Sequence, residues 1–328
     1  MTKGLTNLGN TCYMNAALQC LSHLYELNPN NEDFINDVKK RSKNNDKQLL
    51  HQWLNLQTEI WSDSDNKVVS TRGILSEFIR QCQKNNYYFE SFSQNDTQEF
   101  INIFIDLLHN SIKRKVKIEI TGEPKTNYDL MKIDSIKSWG KFFESNYSYI
   151  ITQFYSKMVS VTTCPECNYH TTNHEPICTI PLTLKEEFNT IYDSLDEYVK
   201  EFQLDDENLW KCDKCKKDVR SEKKINFWEL SPILIFCVKQ FRNGKKINKH
   251  LDFPEIINMD PYCISKRNSM NYRLTGVAIH SGSLHGGHYY AMCRNGDQWY
   301  NCNDSSVREV YNTDVLKETP YCLFYVRI

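Results

Sequence analysis

The stretch Gly4-Leu5-Thr6-Asn7-Leu8-Gly9-Asn10-Thr11-Cys12-Tyr13-Met14-Asn15-Ala16-Ala17-Leu18-Gln19-Cys20-Leu21 decides how this chain is read. A glycine-containing loop leads into a run in which Met14, Ala17, Leu18, Leu21 and Tyr25 recur at helical spacing, so Cys12 opens a helix with one buried face. The first turn of a helix leaves backbone N–H groups unpaired, and here they point at the Cys12 sulfur. Their partial positive charge lowers a thiol pKa from its free value of about 8.5 and favours a thiolate, provided the sulfur is not sealed in apolar surroundings. Taken alone, a cysteine at a helix start is more often buried and inert. A chemical role requires partners elsewhere in the chain.

Composition limits what those partners serve. Forty basic residues against 41 acidic ones leave a net charge of -1, which gives no general attraction for nucleic acid or an anionic membrane surface. Lys39-Lys40-Arg41, Lys113-Arg114-Lys115, Lys214-Cys215-Lys216-Lys217 and Lys245-Lys246 read as solvated faces or loop tips. No apolar stretch approaches a membrane span, and Met1 is followed by polar residues rather than a signal peptide, so a cytoplasmic or nuclear protein is expected. Thirteen cysteines, an odd number in a long chain of this kind, argue for metal binding or catalysis plus buried thiols rather than a disulfide framework.

Residues 28 to 48, rich in asparagine, lysine and aspartate, read as an exposed connection. Leu49, Leu50, Trp53, Leu54, Gln57, Ile60 and Trp61 mark a second helix, and a third runs from about Thr71 to Lys84. Asn95 caps a long helix with Gln98 in the capping-box position, ahead of the stripe Phe100, Ile103, Phe104, Leu107, Leu108 and Ile112. Asp96 and Glu99 in its first turn are explained by the helix dipole alone. Between residues 113 and 147 only a short helical pattern near Trp139 and Phe142 stands out. Alternation predicts a strand from Tyr149 to Thr162 and another from Ile177 to Leu184, then a helix with Ser194 and Glu197 as its capping box.

Cys164-Pro165-Glu166-Cys167 and Cys212-Asp213-Lys214-Cys215 form two Cys-x-x-Cys knuckles separated by 44 residues (168 to 211). Four thiolates so arranged suit a closed tetrahedral zinc site. His170, His174 and Cys178 are weaker candidate ligands. The remainder reads as mostly antiparallel sheet. Ile233 to Val238 is a central strand with both faces covered, followed by a basic turn from Arg242 to His250 and a strand from Tyr272 to His280. The glycine-rich Ser281 to Gly287 then delivers His288 at the start of a strand reaching Arg294. Trp299 to Val307 and Tyr321 to Val326 complete the sheet.

A cysteine at a helix entry, a histidine after a flexible loop, and an Asn or Asp on the neighbouring strand stand in papain-like order. The thiolate attacks a carbonyl, the imidazolium protonates the leaving amine, and the third group accepts Nδ1–H to hold the ring. The Cys12 backbone N–H and the Asn7 side-chain amide are candidate oxyanion donors. His280 and His285 are rival bases.

With these residues in view the sequence resembles the ubiquitin-specific proteases, papain-like deubiquitinases, along its whole length. Gly4 to Leu21 is similar to that family's cysteine box, Gln94 to Phe100 to its Gln-rich helix entry, the knuckles to its zinc fingers, and Tyr272 to Arg294 with Trp299 to Val307 to its histidine box. The resemblance implies an α+β fold in one catalytic domain, residues 1-328. Its parts are a helical thumb (about 1-148), zinc-tipped β fingers (about 149-230) and an antiparallel-sheet palm (about 231-328). It implies Cys12 as nucleophile, His288 as acid and base, Asn303 as the orienting residue with Asp304 able to assist, and Asn7 as oxyanion donor. Asp96, Gln98, Glu99, Gly286, Gly287 and Tyr289 would line the channel for the modifier's tail. The implied cofactor is one structural Zn2+ held by Cys164, Cys167, Cys212 and Cys215, and the implied partners are ubiquitin and ubiquitinated proteins. A monomer is expected, and with eleven residues before Cys12 a bare catalytic domain. The alternatives are a protease for another ubiquitin-like modifier and a catalytically silent ubiquitin-binding module.

Overall fold

In the computed structural model, residues 2–41, 46–90, 93–242, 244–265, 269–283 and 286–328 are described. Helix α1, Cys12–Ser22, lies at the centre of the packing, and all 11 of its residues are buried, including the polar Asn15 and Gln19. The one-sided helix expected from its apolar spacing is therefore corrected. The helix lies between a helical layer and a sheet, and Gln19 is tolerated inside because its amide donates to the Lys3 carbonyl at 2.8 Å. Tyr25 falls beyond the helix and is exposed.

The helical layer contains α2 (Glu32–Lys40), α3 (Gln48–Ile60), α4 (Arg72–Lys84), α5 (Thr97–Ile112), α6 (Asn127–Phe143) and α7 (Tyr149–Phe154). Helix α2 occupies what reads as an exposed connection. It is short, with few apolar residues, but Asn31 caps it, Glu32 and Asp33 open it, Lys39 and Lys40 close it, and Phe34 is fully buried. Asp96, not Asn95, caps α5, accepting from the Gln98 and Glu99 N–H groups, while Asn95 folds back onto the Glu90 and Ser93 carbonyls. Phe78, Phe100 and Phe104 stack at 4.8 and 5.3 Å with Trp53 edge-on at 5.5 Å, tying α3, α4 and α5 together. Each such ring contributes about 1.5–3 kcal/mol by leaving water.

The expected strand from Tyr149 begins as helix α7, because the Ser148 hydroxyl accepts the Ile151 N–H and Ile150, Ile151 and Phe154 share one buried side. After it, β1 (Ser156–Thr163) and β2 (His170–Ile177) pair antiparallel, and β3 (Thr179–Thr183) crosses into a different sheet. Helix α8 (Ile191–Val199) starts with Thr190 and Asp193 as its capping box, one turn ahead of the Ser194–Glu197 pair. Strand β4 (Glu222–Glu229) pairs with β1, completing with Phe202–Gln203 a four-stranded sheet.

The large sheet is built from β5 (Ile233–Lys239), β6 (Asn271–Ser283), β7 (Gly286–Asn295), β8 (Gln298–Asn303), β9 (Ser306–Val310) and β10 (Pro320–Arg327), with β3 at one edge. Its order is β9-β8-β7-β6-β10-β5-β3, with Ile256–Asn258 also pairing β6. All its pairs are antiparallel except β5 with β3, which is parallel, so the expected antiparallel sheet has one exception. Strand β5 is buried over six of its seven residues, as its unbroken apolar run requires. Helix α1 packs across β7 and β6 on one face of this sheet.

Candidate functional site

The loop before α1 is held by one side chain. Asn7 Oδ1 accepts the Gly9 N–H at 2.9 Å and the Thr11 N–H at 3.3 Å, and Gly9 adopts φ +102°, a conformation that an L side chain rarely takes. This folded loop presents Cys12, 5% exposed, at the first position of α1. Backbone N–H groups of Tyr289, Tyr13 and Cys12 itself act on its sulfur, so β7 and the helix end converge there. Burial nevertheless pushes the Cys12 thiol above its ordinary range, with the Asp304 carboxylate adding to the rise. Burial thus opposes the lowering expected from the helix end and outweighs the N–H groups in direction.

Strand β7 carries His288 two residues after its start, next in the chain to Tyr289. Its Nε2 lies 2.6 Å from Asn303 Oδ1 at the end of β8. The ring nitrogen held by the third residue is therefore Nε2 rather than the expected Nδ1, which leaves Nδ1 as the other nitrogen of the ring. Asn303 is presented by a tight turn in which it pairs with Ser306 and Asp304 takes φ +49°. That turn is clamped to the loop and helix that carry Cys12. Asp304 accepts from Asn7 Nδ2 and Asn15 Nδ2, both at 2.8 Å, and its carbonyl accepts the Leu5 N–H at 2.7 Å. Gly4 lies so close that a Cβ there would sit 2.3 Å from the Ser305 carbonyl oxygen. Asp304 thus positions the turn, and Asn303 alone meets the ring.

Asp96, Gln98 and Glu99 lie at the entry of α5. Besides capping, Asp96 accepts a hydrogen bond from the Tyr321 hydroxyl of β10, and Gln98 reaches Thr179 of β3 at 3.5 Å. Glu99 is exposed, its carboxyl raised by partial burial and by Asp96. Gln94 donates to the Gly287 carbonyl at 3.4 Å, linking the helical layer to the strand bearing His288. A Cβ on Gly287 would lie 2.2 Å from His280 Nε2 and 2.7 Å from the Ser281 carbonyl oxygen, whereas one on Gly286 would meet nothing within 4 Å. His280 is packed at 4.6 Å from the Tyr289 ring and held neutral by burial and by Lys246, its pKa lowered to about 4. His285 lies outside the described residues. Asn15, Tyr321 and Lys246 complete the surroundings unanticipated. Only Asn15 left a signal, as a polar residue one turn after Cys12 within an apolar run.

The four knuckle cysteines bring their sulfurs within 4.8 Å of one another, with Cys164–Cys215 at 3.8 Å and Cys167–Cys212 at 3.6 Å. Tetrahedral coordination at about 2.3 Å per sulfur requires sulfurs about 3.8 Å apart, so the donor set fits zinc. Both knuckles fold identically. The N–H of Cys164 bonds the Tyr169 carbonyl and that of Cys212 the Lys217 carbonyl, while Asn168 and Lys216 turn through positive φ and return their N–H to the first cysteine. Among the described residues this is the only such cluster, and His170, His174 and Cys178 stand outside it.

The family model described as ubiquitin carboxyl-terminal hydrolase matches residues 3–325. The chain belongs to this family. Among hydrolases of the family it is similar to ubiquitin carboxyl-terminal hydrolase 2 of Bos taurus, 31% identical over 98% of this chain and 54% of that protein. Ubiquitin carboxyl-terminal hydrolase 21 of Homo sapiens is 30% identical over 98% of this chain and 61% of that protein. The chain thus spans little more than half the length of these relatives. Among solved structures it is similar to the SAGA Ubp8/Sgf11/Sus1/Sgf73 DUB module bound to ubiquitin aldehyde, with TM-score 0.75 and 26% identity over 99% of this chain and 69% of that one. The same module bound to monoubiquitin gives TM-score 0.75 and 25% identity over the same shares. Those neighbours are multi-subunit assemblies, which lends the expected monomer no support.

Proposed function

We propose that the chain is a deubiquitinating thiol isopeptidase that hydrolyses the bond after the C-terminal glycine of ubiquitin through a Cys12 thioester. The observation that carries this reading is the clamp at one turn: His288 Nε2 meets Asn303 Oδ1 at 2.6 Å, and the adjoining Asp304 accepts from Asn7 and Asn15 of the loop and helix that carry Cys12, both at 2.8 Å. It ties a ring of fixed orientation to the segment that presents the thiol. His288 takes the Cys12 proton as the sulfur attacks the glycine carbonyl carbon, and returns it to the lysine nitrogen as the carbon–nitrogen bond breaks. Water then attacks the thioester with His288 again as base, releasing the carboxylate and the thiol. The Cys12 N–H and the second Nδ2 hydrogen of Asn7 meet the oxyanion, since only one of that amide's two hydrogens goes to Asp304.

In this reading the helices form the thumb, the large sheet the palm and the four-stranded sheet the fingers. Strand β3, within the 149–230 stretch, belongs to the palm because it pairs with β5. Cys164, Cys167, Cys212 and Cys215 hold one Zn2+, which would cross-link the two knuckles without touching the chemistry. Thirteen cysteines, all thiols, suit a reducing compartment, the cytosol or nucleus.

Incubation with ubiquitin bearing a C-terminal electrophile, alongside other modifiers so equipped, tests the reading. An adduct at Cys12 with ubiquitin is expected. No adduct with any of them refutes the enzyme, and an adduct only with another modifier replaces the substrate. Metal analysis should find one zinc per chain, lost in Cys212→Ser; folded, metal-free protein refutes the metal site.

A further inference from the structure

The hairpin Phe241–Arg242/Lys245–Lys246 carries a charge pattern that its own folding does not explain. Its register sets Arg242 directly opposite Lys245. Like charges facing each other across a ladder weaken the pairing. Among the described residues, no carboxylate lies within salt-bridge distance of either cation. Lys246 on the same hairpin is different. Its ammonium donates to the His280 carbonyl at 2.7 Å, the Gly282 carbonyl at 3.3 Å and His280 Nδ1 at 2.9 Å, so it fixes the hairpin to β6 beside the candidate active site. The hairpin is anchored by one cation and displays two others, both exposed.

Together with the segment after β3 the hairpin encloses an open cleft of about 840 Å3. Lys249 on the same wall donates to a backbone carbonyl, that of Glu186, and makes no ion pair among the described residues. Lys185 is neutralised by Glu197 at 2.7 Å, which leaves Arg242, Lys245, Lys246 and Lys249 against Glu186 and Glu187. The cleft is thus net positive on a chain whose net charge is -1. Among the described residues no aromatic side chain lines it, so it lacks the stacking platform on which single-stranded nucleic acid rests, while the half-buried Ile247 offers an apolar contact to a peptide side chain. The cations, all on the hairpin wall between residues 242 and 249, are spread along that wall and match carboxylates spaced along an extended chain at about 3.3 Å per residue better than one compact anion.

We propose that this cleft docks an Asp/Glu-rich segment of a partner protein. The docking does not depend on the hydrolase reading, because it uses none of Cys12, His288 or Asn303.

Fluorescence anisotropy of the full chain with a fluorescein-labelled decapeptide of Glu and Asp containing one leucine, at about 50 mM salt, tests it. Lys245→Glu should weaken binding about tenfold or more. Because it turns the repulsive Arg242–Lys245 pair into an attractive one, the same substitution should leave Tm equal or higher, a combination that misfolding cannot give. Lys39→Glu/Lys40→Glu on the exposed end of α2 should keep affinity within about twofold. Absence of binding, an equal loss in the α2 variant, or tighter binding of a single-stranded RNA of matched charge through Arg242 and Lys245 would each overturn the proposal.

Discussion

Replacing Asn303 by alanine isolates what the third residue does. Its Oδ1 sits 2.6 Å from His288 Nε2 and the side chain is exposed, so the fold should lose almost nothing. In the proposed mechanism the ring passes through the imidazolium during attack and leaving-group protonation, and a hydrogen bond to a charged group is worth about 1.5–3 kcal/mol. At about 1.36 kcal/mol per decade, Asn303→Ala should lower kcat roughly 10- to 150-fold. KM should hardly move, because the contact is made to the ring and not to the modifier. Asn303→Asp supplies the same acceptor with a charge and should keep most of the activity. Asp304→Ala should behave differently, lowering Tm as well as kcat, since it strips the buried Asn15 amide of its partner at 2.8 Å. The assay is hydrolysis of a fluorogenic C-terminal amide of ubiquitin, with Tm measured in parallel. A loss in Asn303→Ala below about threefold, or a loss confined to KM, would refute the orienting role.

Gly287→Ala should reduce activity more than about tenfold and lower Tm, because its Cβ meets His280 and the Ser281 backbone, while Gly286→Ala should stay within about twofold; equal effects would dismiss the internal explanation for Gly287. Burial raises the Cys12 thiol, so its alkylation by iodoacetamide should keep accelerating with pH through and beyond the ordinary thiol range, and a plateau already reached at neutral pH would contradict that direction. His23 and His109 are lowered to about 4 by burial. A histidine depressed in the folded state contributes stability that is complete above its unfolded value of about 6.5 and is lost as pH falls through the folded one. Tm should therefore decline between about pH 6.5 and 4, less steeply in His109→Gln; a Tm constant over that window would show that these rings are not buried neutral.

What the sequence made legible follows from how local each signal is. Helix α5, the central β5 and the knuckles rest on periodicity, unbroken apolarity and spacing, each contained within a short window. Helix α2 was hidden because a short helix needs only Phe34, Val38 and its end charges, a composition shared with loops. His288 and Asn303 meet at 2.6 Å, yet the ring nitrogen on Asn303, the clamp on Asp304 and the internal reason for Gly287 were not readable. The clamp joins segments 297 and 289 positions apart, and the other two depend on side-chain orientation and close packing that a strand pattern does not encode.

The resting state of Cys12 joins these observations. A helix end alone favours a thiolate, but burial of α1 pushes the Cys12 thiol the other way, and in the proposed mechanism it hands its proton to His288 at the moment of attack. Reactivity then depends on where His288 stands. The ring is fixed through Asn303, the Asn303 turn through Asp304, and Asp304 through Asn7 and Asn15, which lie on the loop and helix of Cys12 itself. The proposed nucleophile and base are thus referred to the same segment, although 276 positions separate them in the chain. Loosening any one link should slow the chemical step while leaving recognition of the modifier intact.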